Sequence, residues 1–457
     1  ISFAYHGSTK PSKYLNSRRI ELKTEYRDLS VRYYEDWPLI EDAGGYVHLK
    51  GSQTQIGVDI GRTLGVKNFT ADLIIDNTNL DLAADLDFVG EKNDFLAFFL
   101  NSPLKKELPF ISEDWKTDGY IFGELGMSFP LYNFSFNEIE MALKFELREF
   151  DMVIPDYNLS FGSINGAGEF SLPHQLSGSF EGTLFGQNVS IEAQNDQDSL
   201  NFLFNGIGSP NLIGAVLDLP VEDISKGVLK YFAQLNFTLS GERRSKFGLT
   251  SDLTGFGINL PVPFGKTSLE VRSLGIDIEF LADTELLSAS YGDHEALLTL
   301  QNNQILGGAI GFENEDISSD VSDDQLYITG SLPSFDVDEY LPYFRNYNSF
   351  QSSWVIEDLS LENLAYGDLS VKGLTVNGIG STSSSHFELS SSKLIGSLDF
   401  DFDETAVVDL SLLELSIFNF DLPSEKFVKD AFDKTAVNSL PNIVVNIESL
   451  RLNEENL

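Results

Sequence analysis

The stretch LDLAADLDF, Leu80–Phe88, alternates without a break: Leu80, Leu82, Ala84, Leu86 and Phe88 fall on one side, and Asp81, Ala83, Asp85 and Asp87 on the other. Successive side chains of a β-strand point to opposite faces, so this is a strand with one face hidden and one face wet. The pattern returns in Leu274, Ile276, Ile278 and Phe280 against Asp277 and Glu279, and in Leu398, Phe400 and Phe402 against Asp399, Asp401 and Asp403. It runs nearly end to end. A chain of 457 residues written largely as one-faced strand must cover one very long apolar face, and whatever covers that face decides the function.

Strand candidates follow one another with turn residues between them, such as Asn165-Gly166, Ser240-Gly241, Gly292-Asp293 and Asn377-Gly378. These are hairpin signals, which predict a mainly antiparallel sheet. Strand plus turn at about 14 residues gives roughly 33 strands, and at about 4.8 Å per strand a sheet on the order of 150 Å long. The helical period is rare. It predicts short helices over Asp94–Leu100, Asn211–Leu217, Val337–Phe344 and Ser424–Val437, the last with Ser424 as a cap.

Single cores stop growing at roughly 250 to 300 residues, yet no clear linker divides the chain. Ser381–Ser392 reads as strand as readily as linker. The expectation is one extended repeating body, 1–457, with repeat blocks 1–105, 106–220, 221–345 and 346–457 punctuated by the helices. The tetrapeptide DLSV occurs twice, at Asp28–Val31 and Asp368–Val371.

The net charge is −40, from 70 acidic and 30 basic residues, with no basic stripe, which excludes nucleic acid as a natural partner. The carboxylates read as a solvated outer face that keeps β edges apart. Without cysteine there is neither a disulfide framework nor a thiolate metal site. No run of 18 apolar residues occurs, and the start lacks the basic and apolar regions of a signal peptide. A chain that opens inside ISFAY without Met reads as a piece of a longer protein with its targeting and anchoring segments elsewhere. Phe occurs 36 times against 16 Tyr and 3 Trp, so most rings lack a polar handle. Such a face suits an ordinary core and equally suits acyl chains.

Chemistry is hard to find. Leu260–Thr267, LPVPFGKT, ends like a phosphate loop, but Leu260 stands where the first glycine belongs and Pro261 and Pro263 remove backbone donors. His6, His48, His174, His294 and His386 are scattered singly, and no HExxH or G-x-S-x-G occurs. Glu313, Glu315, Asp316, Asp320, Asp323 and Asp324 form an acidic loop. Asp85–Leu96 imitates a calcium loop, but Val89 and Leu96 stand at ligand positions. The expectation is no catalytic residue, no cofactor and no metal.

The segment SDLTGFGINLPVPFGKTSLEVRSLGIDIEF, Ser251–Phe280, resembles a strand-turn-strand segment of the YhdP family. Further likenesses are DFLAFFLNSPL at Asp94–Leu104, GTLFGQNVSIEA at Gly182–Ala193 and SLPNIVVNIESLRLNEENL at Ser439–Leu457. These AsmA-like, TamB-related proteins of Gram-negative bacteria are repeating β-groove proteins. The resemblance implies an all-β fold, a long twisted sheet curled into an open taco-like groove with a few short helices. It also implies a periplasmic location, with the full-length protein anchored in the inner membrane. The function implied is passage of phospholipid between inner and outer membranes, contributing to outer-membrane lipid homeostasis.

On this reading the apolar alternates Leu80, Leu82, Leu86, Phe88, Leu274, Ile276, Ile278, Phe280, Leu398, Phe400 and Phe402 line the path. Asp81, Asp277 and Asp399 mark the outside. The partners are phospholipid acyl chains, and the two membranes through segments absent from this chain; protein partners are not identified. The main alternative is a structural or adhesive β-rich surface protein whose acidic loops bind calcium, with closed cores. A polysaccharide-cleaving enzyme ranks third, because paired carboxylates arise by chance in so acidic a chain.

Overall fold

The computed structural model describes residues 1–6, 19–32, 36–64, 66–91, 93–106, 111–132, 138–172, 175–196, 199–217, 221–239, 244–281, 283–302, 304–313, 315, 317, 324–344, 353–367, 369–381, 383–401, 405–416 and 442–453. Among them the chain forms 29 strands. Of these, 27 are hydrogen-bonded into mostly antiparallel sheet. The chain divides into two compact units, Ile1–Leu219 with Tyr231–Ser245, and Pro220–Lys230 with Lys246–Leu457.

The first unit contains β1 (Ser2–His6), β2 (Arg19–Val31), β3 (Ile40–Lys50), β4 (Gln53–Arg62), β5 (Lys67–Asp76), β6 (Asp81–Glu91), β7 (Lys116–Pro130), β8 (Glu140–Ile154), β9 (Leu159–Ser171), β10 (Gln175–Leu184), β11 (Gln187–Asp196) and β12 (Ser199–Gly208). Each pairs antiparallel with the next, a meander in which sequence neighbours are sheet neighbours. After β13 (Ser225–Gly227) comes β14 (Leu229–Thr238), most of which belongs to this unit. Gln234 and Asn236 on β14 both donate to the Asn201 amide oxygen on β12, at 3.0 and 2.6 Å.

The second unit continues through β15 (Ser245–Ser251), β16 (Phe256–Ile258), β17 (Leu274–Phe280), β18 (Glu285–Tyr291), β19 (His294–Gln301), β20 (Gln304–Phe312), β21 (Gln325–Leu332), β22 (Phe335–Asp336), β23 (Ser353–Tyr366), β24 (Leu369–Gly380), β25 (Ser384–Ser390), β26 (Leu394–Asp401), β27 (Thr405–Ser416), β28 (Asn442–Ile447) and β29 (Leu450–Asn453). β13 and β16 form a separate two-stranded sheet. The run β17 to β20 is antiparallel, as is β23 to β27. Between them lie parallel steps, β20 with β21 and β21 with β23, and β27 pairs parallel with β28 and β29. A parallel step needs a connection of about a dozen residues to return to the starting edge. The acidic 313–324 segment is one such crossover. Ile317 within it is buried next to Gly311; Asp316, Asp320 and Asp323 lie outside the described residues.

Three helices occur among the described residues: α1 (Asp94–Leu100), α2 (Pro210–Leu217) and α3 (Val337–Phe344). Two match the expected bounds and α2 begins one residue earlier, at Pro210. That is where proline is tolerated, because the first turn needs no amide donor. The helix expected over Ser424–Val437 lies outside the described residues.

Two turn expectations are corrected. Gly292-Asp293 makes the β18–β19 turn, whereas Asn165-Gly166 and Asn377-Gly378 lie inside β9 and β24; Ser240-Gly241 is outside the described residues. The reason is a recurring bulge. Glu149 on β8 and Asp358 on β23 take left-handed backbone angles, φ 46° and 48°, and the register shifts beside each. Their amides then point away from the ladder, and the Asn165 and Asn377 side chains accept them, at 3.0 and 2.8 Å. Bulges bend a strand and tighten its twist, which curls a sheet.

An apolar inner face and where it closes

In the first unit β6 realises the alternation. Leu82 and Ala84 are buried, Leu86 and Phe88 half-buried, and Asp81, Ala83, Asp85 and Asp87 exposed. Leu86 and Phe88 pack with Ile40 and Leu73 against a buried cluster of Val58, Phe69 and Ala71. Leu80 does not share this face. It sits in the β5–β6 turn at φ 60°, 41% exposed, because its backbone closes the turn by donating to the Asp76 carbonyl. Helix α1 lies at the end of the face: Phe95 stacks on Phe88 with centroids 6.4 Å apart, and Phe98 meets Trp37 at 6.0 Å.

Strand glycines serve this face. A Cβ on Gly123 would meet the Phe88 ring at 2.2 Å, one on Gly61 the Phe69 ring at 2.4 Å, and one on Gly168 the Phe145 ring at 2.6 Å. In the second unit a Cβ on Gly380 would meet the Trp354 ring at 2.1 Å. Each ring thus occupies the space that a side chain on a neighbouring strand's glycine would need. These positions were missed in the sequence; a glycine inside an alternating strand, near a ring-bearing one, was the available signal.

From β8 to β14 the face closes on itself. Phe161 on β9 and Phe204 on β12 have centroids 5.7 Å apart, though β10 and β11 lie between their strands, a flat-sheet separation of about 14 Å. Tyr157, just before β9, packs edge-on against Phe237 of β14 at 5.7 Å and donates a 3.0 Å hydrogen bond to Ser245. The Asn158 side chain donates to the Ala215 carbonyl in α2. Leu229, Tyr231, Ala233, Leu235 and Phe237 are consequently all buried, where Leu86 and Phe88 on β6 are only half-covered. Burial lifts the Tyr231 phenol to about 12, and its hydroxyl has no hydrogen-bond partner among the described residues.

In the second unit Ile276 and Ile278 are buried, Leu274 and Phe280 half-buried, and Asp277 exposed. Leu398 is half-buried opposite Phe387, while Asp399 turns outward to bond His386 at 2.7 Å. The Phe400 backbone lies in β26 but its side chain is not described, and Phe402 lies outside the described residues. A buried cluster of Leu332, Leu359, Leu361, Leu374 and Val376 is covered in part by Phe264. The expected sites thus fall in separate patches of the two units.

Phe264 belongs to the LPVPFGKT stretch. Its role is to plug: the ring meets His294 at 5.4 Å, Phe312 at 5.8 Å and Tyr340 at 6.1 Å. Side-chain donors pin the loop through its carbonyls, Tyr340 to Pro261 at 2.7 Å, Arg272 to Pro263 at 2.8 Å and Tyr291 to Phe264 at 2.8 Å. Buried Lys266 donates to the Leu253, Phe256 and Thr267 carbonyls at 2.9, 2.5 and 3.0 Å, so its ammonium is spent on the loop rather than on phosphate. Burial lowers its pKa.

Among the described residues no group of three or more His, Asp or Glu side chains is placed to hold a metal ion, and no helix is long and apolar enough to cross a membrane. No curated protein and no solved structure matches the chain. The family model described as YhdP protein matches residues 1–457. By that match over its whole length the chain belongs to the YhdP family, a membrane-associated bacterial family of AsmA-like β-groove proteins.

Proposed function

We propose that this chain is a non-enzymatic segment of a periplasmic bridge, which conducts phospholipid between the inner and outer membranes along its apolar face and so contributes to outer-membrane lipid homeostasis. The membranes are engaged through parts of the protein outside this chain. Family membership supports the reading. The observation that carries it is incomplete burial on the apolar face. Leu86, Phe88, Leu274, Phe280 and Leu398 lie on the apolar side of their strands yet stay only partly buried, whereas a finished core covers such residues.

An acyl chain supplies the missing cover. Each CH₂ withdrawn from water contributes about 0.8 kcal/mol, so a chain of about 15 methylenes gains about 12 kcal/mol before the cost of ordering it. Because the face offers hydrocarbon and rings with few polar groups, the chain gains similarly at successive positions, which permits sliding. The wet carboxylates opposite keep the other face from the lipid.

Mass spectrometry of lipid co-purified with the whole chain tests this. Phospholipid is expected on the wild type and lost on Leu82→Asp and Ile278→Asp, with Asp81→Asn on the outer face as a control that retains it. A lipid-free wild type with normal circular dichroism would overturn the reading.

A further inference from the structure

Within the closed stretch of the first unit one polar group stands alone. Tyr231 is 4% exposed, and no donor or acceptor among the described residues reaches its hydroxyl. The ring runs along β12, its Cδ1 edge beside Gly208 and its hydroxyl over Gly206, 2.5 Å from where a Cβ would stand. Leu212 of α2 occupies the Gly208 end, and Val189 stands opposite Gly206 in the register.

Phenylalanine would fill this place without burying an unsatisfied donor, which disfavours folding. A trapped water is a poor partner because it needs two to four polar neighbours of its own, and no donor or acceptor among the described residues reaches even the hydroxyl itself. What fits is an acceptor delivered on hydrocarbon. A fatty-acid carboxylate would arrive as a charge, and the tyrosine alone would not compensate its desolvation. An ester carbonyl is a neutral acceptor joined directly to an acyl chain.

We propose that this stretch is a binding site for the ester end of a diacyl lipid, with the Tyr231 hydroxyl donating to an ester carbonyl oxygen while the chain lies along the inner face. The proposal rests on the lipid-groove reading above. Leu212 of α2 closes the Gly208 end of the site in this structure, so lipid enters by displacing it.

The test compares a diester phosphatidylethanolamine with its diether analogue of identical chains, each presented in detergent to the full chain, with bound lipid counted by native mass spectrometry. The wild type is expected to retain the diester about three- to tenfold better, the value of one hydrogen bond. Tyr231→Phe erases that preference while leaving the lipid-free melting temperature unchanged or higher. Thr299→Val, which removes another buried hydroxyl without a partner, keeps it. No preference in the wild type, a preference that survives Tyr231→Phe, or its loss in Thr299→Val as well would overturn the ester site. So would a clear drop in the lipid-free melting temperature of Tyr231→Phe, which would mean an internal partner. Equal binding of both lipids leaves the groove reading standing, whereas binding of neither removes it together with the site.

Discussion

His294 clusters with the Phe264 and Phe312 rings, at 5.4 and 5.5 Å, with the Glu313 amide donating to its Nδ1 at 3.5 Å. Burial, and then the charge of Arg272, holds its pKa below the usual 6.5, against the smaller pull of Asp293 and Glu313. The sign follows from proton uptake. Below about pH 6.5 the unfolded chain binds the proton first, so this group withdraws stability as pH falls, until the lower folded-state pKa is passed. His294→Phe keeps a ring and removes the titration. Urea midpoints at about pH 7.5 and about pH 5.5 are expected to converge in the variant relative to the wild type; equal acid sensitivity would show that other groups dominate. Residue by residue, the alternation told which side chains share a face, as at Asp81–Phe88. It did not reveal that Leu80 is withdrawn into a turn, because a left-handed backbone at a leucine leaves no mark in a hydropathy pattern.

At the scale of elements, the bulges are the devices that shape the sheet. Asn165 and Asn377 accept amides freed at Glu149 and Asp358. Alanine at either position leaves such an amide to water and is expected to cost about 1 kcal/mol. The expected readout is a lower denaturant midpoint together with faster amide exchange at Glu149 or Asp358; unchanged exchange would remove the bulge from the account. The short helices were legible because each is a brief helical period, two of them flanked by proline and α3 carrying Pro342 within it. The Asn-Gly pairs misled for a physical reason, since the residues that suit a tight turn also suit a bulge that needs a side-chain acceptor and a small neighbour. The parallel steps β20–β21 and β21–β23 were not legible either. Strand direction depends on where a long connection returns, and the sequence of the 313–324 run shows only its charge.

For the molecule as a whole, the central question is whether the apolar face is a surface or a core. Both occur. Half-covered residues such as Leu86, Phe88 and Leu398 present hydrocarbon, while the stretch from Phe161 to Phe237 and the loop around Phe264 are self-filled. Sequence alternation distinguishes two faces but carries no information on curvature, so the closure of β9 against β12 and β14 could not be read from it. The net charge of −40 suits a sheet whose outer face is solvated along its length and repels its own copies. The most direct measurement places a photo-cross-linking phenylalanine analogue singly at Leu86, Phe88 and Leu398 on the inner face and at Asp85, Asp87 and Asp399 on the outer face. Each variant of the lipid-loaded chain is irradiated and its adducts are weighed. Phospholipid adducts at the inner positions and none at the outer ones are the predicted result; adducts distributed alike on both faces, or absent from the inner one, would contradict it.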